Sequence, residues 1–169
     1  STSEDPELSY EITSHTADLV WEHHNIGGLQ GMAGLSGMYQ ANTFEGRMFI
    51  PNYENYTGGI FLIERWKRNR VQLEAGVRYD RHELTVYRRA GGEVVSLPHH
   101  YQQLSANAGL LYDITHHARF SFNAGTGFRP PGVNEMYSNG LHHGSASVEI
   151  GDMQLREEKS LNLIAGLNI

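Results

Sequence analysis

The sequence predicts an all-β fold, an antiparallel up-and-down sheet of about eight strands of the kind that forms a transmembrane β-barrel. Three observations predict it. Apolar and polar residues alternate with a period of two in several segments, short and long connections alternate between these segments, and aromatic residues stand beside the short turns. No run of apolar residues approaches the roughly 18 that a membrane-spanning helix needs. Strands are therefore the elements expected to cross a membrane.

Four segments in the first part of the chain alternate loosely, at 8–15, 18–24, 30–42 and 58–66. Four later segments alternate cleanly, at 71–80, 103–112, 118–125 and 161–169. In the clearest of these, Leu73 and Val77 belong to one face, and Glu74 and Arg78 to the other. The period of two predicts a strand for each segment.

The connections between these segments alternate in length. Short turns are predicted at 25–28, 67–70 and 113–117, and long loops at 43–56, 88–100 and 127–158. Outer-membrane barrels place short turns on the periplasmic side and long loops outside the cell. Trp21, Trp66 and Tyr112 come just before short turns, where a periplasmic girdle of aromatic residues is expected. The loop at 127–158 is therefore predicted to be extracellular.

The polar residues of the alternating strands are expected to form one wall that faces away from lipid. An arginine such as Arg78 in hydrocarbon would cost roughly 2–4 kcal/mol near the midplane. The apolar set must then face lipid or a protein core. The predicted polar lumen wall consists of Gln72, Glu74, Arg78, Asp80, Asn107, Arg119 and Asn123.

Composition and motifs exclude several classes of function. The chain has no cysteine, which rules out disulfides and thiolate metal sites within it. A formal net charge of −6 argues against nucleic acid as a partner. The sequence has no His-Glu-x-x-His, Gly-x-Ser-x-Gly or phosphate-binding glycine loop, so we expect no enzymatic activity.

One series of motifs resembles the barrel signature of TonB-dependent outer-membrane receptors in order and spacing. It begins with Phe128-Arg129-Pro130-Pro131 and Asn134-Glu135-Met136-Tyr137, and it continues through Gly151 to Glu158-Lys159-Ser160. Segment 75–80 is similar to a Gly-x-Arg-Tyr-Asp strand of that family. Pro131 and Met136 depart mildly from the usual residues. The motif residues are Phe128, Arg129, Pro130, Glu135, Tyr137, Leu155 and Glu158.

The resemblance implies a receptor in the cell outer membrane that imports a metal complex, namely a ferric siderophore, haem or zinc. Such a barrel has about 22 strands around a plug, so residues 1–169 would form part of the barrel domain, with the plug and the other strands outside this chain. A TonB-type energy-coupling protein would act through that plug. We expect contact with membrane lipid, no intrinsic cofactor, and transported haem or a metal chelate as cargo. Two open sheet edges are expected to make the isolated fragment self-associate.

Candidate ligand-binding residues are histidines in or beside the predicted outward loops, together with one motif arginine. Imidazole coordinates haem iron, zinc and copper, and His142 or His143 is the candidate metal ligand. Haem receptors of the family also carry a histidine in the loop after Phe-Arg-x-Pro. Arg129 either contacts ligand or is anchored by Glu135 or Glu158. The candidates are His142, His143, His99, His100 and Arg129.

Two other functions remain open at this point. The same alternation would fit a soluble antiparallel β-sandwich that binds a glycan or a protein partner, in which the apolar face meets a second sheet. It would also fit a passive porin. A second sheet covering the apolar face would favour the sandwich.

Overall fold

The computed structural model describes residues 8–46, 50–142 and 147–169. The elements in chain order are β1 (Leu8–Ile26), β2 (Leu29–Gly46), β3 (Asn52–Arg68), β4 (Val71–Ala90), β5 (Glu93–Asp113), β6 (Arg119–Arg129), α1 (Val133–Tyr137), β7 (Asn139–His142), β8 (Ser147–Ile150) and β9 (Glu158–Asn168). Seven strands form one sheet in the order β1-β2-β3-β4-β5-β6-β9, and β7 and β8 pair separately. All pairs are antiparallel. The predicted all-β up-and-down fold is confirmed, as an open sheet with β1 and β9 at its edges.

The first two predicted segments are one strand. β1 pairs with β2 without interruption from Leu8 to His23, and Thr16 and Ala17 lie opposite Met38 and Gly37. No glycine or proline stands between the two segments to break the ladder. The main sheet therefore has seven long strands, where about eight were predicted.

Two of the three predicted long loops are largely strand. β4 and β5 have 20 and 21 residues and meet at Gly91–Gly92. These glycines have φ of +62° and +91°, as a two-residue hairpin turn requires. The prediction of a loop at 88–100 is therefore wrong. Likewise β2 continues to Gly46 and β3 begins at Asn52, inside the loop predicted at 43–56.

The predicted short turns are confirmed. Gly27 and Gly28 turn β1 into β2 with positive φ, and Asn69 does so between β3 and β4. Between β5 and β6, the Thr115 hydroxyl accepts hydrogen bonds from the amides of His117 and Ala118. These three turns lie at one end of the sheet, because antiparallel strands reverse direction at each connection.

The sheet has one polar face and one apolar face. We call the face that carries Leu84 and Val86 the inner face, because α1 packs on it, and the opposite one the outer face. Apolar side chains of the outer face are open to their surroundings, with Leu19 69% and Trp21 64% exposed. No second sheet covers the outer face in the described part of the chain, so the sandwich alternative finds no support. The single described helix has five residues, and no described helix could cross a membrane.

Candidate functional site

The candidate site lies on the inner face, at the end of the sheet away from the three short turns. Leu84 and Val86 of β4 pack there against Met136 of α1, which is only 1% exposed. Tyr53, Leu97, Val133 and Tyr137 surround this contact. This cluster, which we call the α1 anchor, is the buried apolar core of the described residues. It holds the connection between β6 and β9 against the sheet.

The sequence explains how α1 comes to this place. Pro130 and Pro131 follow the last residue of β6, and a proline cannot continue the hydrogen-bond ladder. The chain then turns at Gly132, whose amide donates to Glu135 Oε2 over 2.7 Å. That carboxylate satisfies an amide that would otherwise lack a partner at the helix start. The motif thus ends one strand and starts a short helix directly over the inner face.

Arg129 links this helix to the next strand. Its guanidinium donates to both oxygens of Glu135 at 3.0 Å and to both oxygens of Glu158 at 3.1 Å. The structure thus brings together three motif residues that are 6 and 29 positions apart. The carboxylates beside Arg129, Glu158 first, raise the pKa of the guanidinium, which remains charged. We call this group the Arg129 hub.

Acidification is expected to loosen α1 through Glu135. Hydrogen bonds from Arg129, and then from the Gly132 amide, lower the pKa of the Glu135 carboxyl. Because the pKa is lower in the folded state, its contribution to stability is complete above about pH 4.3 and is lost as pH falls through the folded value. Hydrogen-exchange protection of the Met136 and Ser138 amides should be constant from neutral pH to about pH 5 and fall at lower pH.

The control for this pH dependence is Glu135→Gln, which removes the titrating carboxyl. Its protection should already be lower at neutral pH, and its acid transition should be smaller. Glu158 also has a lowered pKa, chiefly through its hydrogen bond from Arg129, and it accounts for any residual transition. An acid transition of unchanged size in Glu135→Gln would contradict the assignment.

A second contact joins α1 to β5. His99 Nε2 and the Tyr137 hydroxyl lie 2.5 Å apart and share a hydrogen bond, and their rings meet edge to face at 5.8 Å. Tyr101, two positions along the strand, donates from its hydroxyl to Met136 Sδ at 3.6 Å. Imidazole and phenol groups therefore meet on the inner face beside the α1 anchor. They offer flat rings and hydrogen-bonding groups to a ligand.

His82 was not among the predicted residues. Its Nδ1 lies 3.1 Å from the Thr57 hydroxyl, and its Nε2 has no partner among the described residues. It lines a cavity of about 410 Å³ together with Tyr53, Tyr101 and Pro131. The alternating pattern places His82 on the same face as Asp80 and Leu84. The cavity depends on the packing of Pro130 and Pro131 over that face, which the pattern does not contain.

The predicted polar wall does share one face. Asp80 lies opposite Gln103 where β4 pairs with β5. The register of the sheet places all seven residues predicted for the wall on the inner face. Arg78 donates to both oxygens of Asp80, which is 3% exposed, and Gln103 donates to the same carboxylate. A buried carboxylate needs such partners. The other wall residues include Glu74, which accepts from Arg65, and Arg119, which donates to Asp113.

The predicted histidines do not form one group. His99 and His100 lie within β5, paired with Leu84 and Glu83, and so they are in a strand rather than in or beside a loop as predicted. Adjacent strand residues point to opposite faces: His99 is on the inner face, whereas His100 is exposed on the outer face and hydrogen-bonded to Glu83. His142 is the last residue of β7, but its side chain lies outside what the structure describes. His143 lies outside the described residues.

The remaining motif residues have simple positions. Phe128 is the second-last residue of β6, Pro130 follows that strand, and Leu155 lies in the connection before β9, 41% exposed. Within the described ranges no three His, Asp or Glu side chains gather as a metal site. The aromatic and imidazole side chains described beside α1 are His99, Tyr101 and Tyr137.

These features define a class of protein. A single antiparallel sheet of very long strands, with an apolar outer face, a polar inner face and a connection folded onto the inner face, is a section of a large β-barrel. The chain belongs to the TonB-dependent receptor family: the family's sequence model, described as "TonB dependent receptor-like, beta-barrel", matches residues 6–169. Receptors of this family are outer-membrane β-barrels.

Solved structures with a similar fold carry related descriptions. The hemophore receptor HasR of Serratia marcescens, solved as a double mutant with its hemophore HasA and heme, is 18% identical with a TM-score of 0.70, over 95% of this chain and 30% of that one. The copper transporter OprC is 16% identical with a TM-score of 0.71, over 95% and 28%. The siderophore receptor PiuA of Acinetobacter baumannii is 11% identical with a TM-score of 0.64, over 95% and 29%.

The chain thus spans less than a third of the length of these three proteins. At such identities the similarity shows the fold. Comparison with curated protein sequences gave no match.

Proposed function

We propose that this chain is part of an outer-membrane receptor that binds a metal complex outside the cell and imports it. The cargo would be a ferric siderophore, haem or zinc. The observation that carries the proposal is the packing of α1 on the inner face, which places Tyr137 beside His99 and Tyr101. In a closed barrel this face lines the lumen. A ligand entering from outside would meet these side chains first.

The other parts of the machine follow from the family. A TonB-type protein would supply energy through a plug domain outside this chain, and the polar wall would contact the plug or the water of the lumen. The outer face would contact membrane lipid. We infer neither an enzymatic activity nor an intrinsic cofactor. With β1 and β9 unpaired at their free edges, the isolated fragment is expected to self-associate.

We assign different roles to the candidate residues. His99 and Tyr137 are proposed to contact the cargo, with His82 deeper in the adjacent cavity. Arg129 is proposed to position α1, because both of its bidentate pairs are made within the protein. His142 and His143 are retained as candidate metal ligands from the sequence.

The test is a binding survey with the full-length receptor and three probes: haem, a ferric siderophore and zinc. Tyr137→Phe and His99→Ala are expected to weaken binding of the cargo about tenfold, which corresponds to one lost hydrogen bond of roughly 1.4 kcal/mol. His142→Ala and His143→Ala test the loop histidines in the same assay. Only one of the three probes, the cargo itself, should show this loss of affinity.

His100→Ala is the matched control, since this neighbouring histidine lies on the outer face of the same strand. Its affinity should equal that of the unmodified receptor. Unchanged affinity of Tyr137→Phe and His99→Ala for every probe would place cargo recognition elsewhere in the receptor.

A further inference from the structure

A polar pair interrupts the apolar part of the outer face, close to the short turns. His23 Nε2 and Glu64 Oε1 lie 2.9 Å apart, and the two side chains are 10% and 30% exposed. His23 and Glu64 both lie opposite Gly31, so the three residues form one row across β1, β2 and β3. His23 Nδ1 has no partner among the described residues.

Gly31 is what allows the two side chains to meet. A Cβ atom at this position would lie 2.8 Å from the carboxyl carbon of Glu64, closer than real side chains approach. The carboxylate therefore lies across the glycine and reaches from β3 to β1. The glycine thus allows the pair to be held in place. The other outer-face residues at the same distance from the short turns are apolar.

An apolar groove of about 550 Å³ begins beside this pair on the same face. Ala33 pairs with both Trp21 and Leu62 and leaves a depression between these larger side chains. Trp21 borders both features, since its ring lies 5.6 Å from the His23 ring. The groove is lined by Leu19, Trp21, Ala33, Leu35, Leu62 and Val77.

We propose that the pair and the groove together bind one phospholipid with an amine headgroup, phosphatidylethanolamine. One acyl chain would occupy the groove, and the ammonium group would lie at Glu64. This inference rests on the proposed placement in the outer membrane. The row at Gly31 is three residues from the turn at Gly28, roughly 10 Å along the strand. The headgroup would therefore belong to the periplasmic leaflet.

Charge decides which headgroup fits. A carboxylate such as that of Glu64 repels an anionic headgroup and attracts an ammonium group. Indole N–H groups suit the interface between lipid and water, and Trp66 lies against Gly28 at the turn.

Native mass spectrometry of the full-length receptor tests the proposal. The receptor, in detergent, is titrated with phosphatidylethanolamine or with phosphatidylglycerol of the same acyl chains. One molecule of phosphatidylethanolamine should be retained in preference to phosphatidylglycerol. Glu64→Gln should weaken that binding about fivefold, the loss of one partly exposed ionic contact. Ala33→Phe, which fills the groove, should weaken binding of both lipids.

Glu74→Gln is the matched control. Glu74 is the neighbour of Ala75, which lies opposite Glu64, but its side chain is on the inner face. It should bind lipid as the unmodified receptor does. Equal retention of the two lipids, or equal effects of Glu64→Gln and Glu74→Gln, would overturn the proposal, as would a receptor dimer that replaces the lipid. Cargo binding is measured separately: its loss with lipid preference intact would reject the proposed function alone, and the reverse result would reject this inference alone.

Discussion

Replacing Arg129 with alanine is expected to release α1 from β9 and to reduce cargo binding more than tenfold. The change removes four hydrogen bonds and leaves two carboxylates, Glu135 and Glu158, side by side without the cation between them. A single exposed ion pair stabilises a protein by only about 0–1 kcal/mol, but two bidentate arms on one arginine form a network. Hydrogen exchange of the α1 amides in the full-length receptor should rise, together with the dissociation constant of the cargo.

Two variants separate the possible roles of Arg129. Arg129→Lys should restore little, because an ammonium group cannot make two bidentate contacts. Arg65→Ala removes another arginine–carboxylate contact, in which two nitrogens of Arg65 donate to Oε2 of Glu74 at the far end of the inner face, and should leave α1 protected. If Arg129→Ala loses cargo binding while α1 exchange stays slow, Arg129 contacts the cargo directly and the positioning role is wrong.

Met136→Ala is expected to undock α1 from the inner face. Met136 is 1% exposed and packs on Leu84 and Val86. Truncating a buried methionine costs about 2–5 kcal/mol. Since a helix of five residues has little stability of its own, this loss should open the connection locally and leave the sheet folded. Hydrogen exchange of the α1 amides should rise at least tenfold, with little change in the thermal unfolding midpoint of the full-length receptor.

Met153→Ala is the matched control, since Met153 lies in the same connection but is 54% exposed. It should leave α1 exchange unchanged. Met136→Leu keeps most of the volume and should retain most of the protection. A lowered unfolding midpoint without faster local exchange would show that the α1 anchor belongs to the cooperative core of the sheet.

The alternation of residues predicted most of the strands, and the polar residues that it assigned to one face do share a face, because a period of two assigns every residue of a continuous strand to a face. It missed the ends of β4 and β5 that lie away from the short turns. In 88–100 apolar and polar residues do not alternate, because Arg88 and Arg89 are adjacent, as are Val94 and Val95, so the pattern resembles a loop. The glycine pair 91–92 was an available hairpin signal. Strand ends in which apolar and polar residues do not alternate cannot be recognised by hydrophobic periodicity.

The site was only partly predictable for a different reason. Glu135 and Glu158 were named as partners of Arg129 from the sequence, and the structure contains both contacts. The contact between His99 and Tyr137 joins residues 38 positions apart and depends on where α1 docks. No local pattern contains that information, and the same holds for the cavity beside His82.

The long hairpin of β4 and β5 has a consequence for how cargo specificity could change. A barrel strand needs about 9–11 residues to cross the membrane, and these strands have 20 and 21. In the proposed receptor, about half of each strand would stand above the bilayer as a rigid ridge that carries His82, His99 and Tyr101. The backbone that carries these side chains is already ordered in the two strands, so binding need not order a long loop there. Single substitutions on the ridge could alter cargo preference without any change in backbone conformation. The ridge is therefore a suitable region in which to redesign the specificity of the receptor.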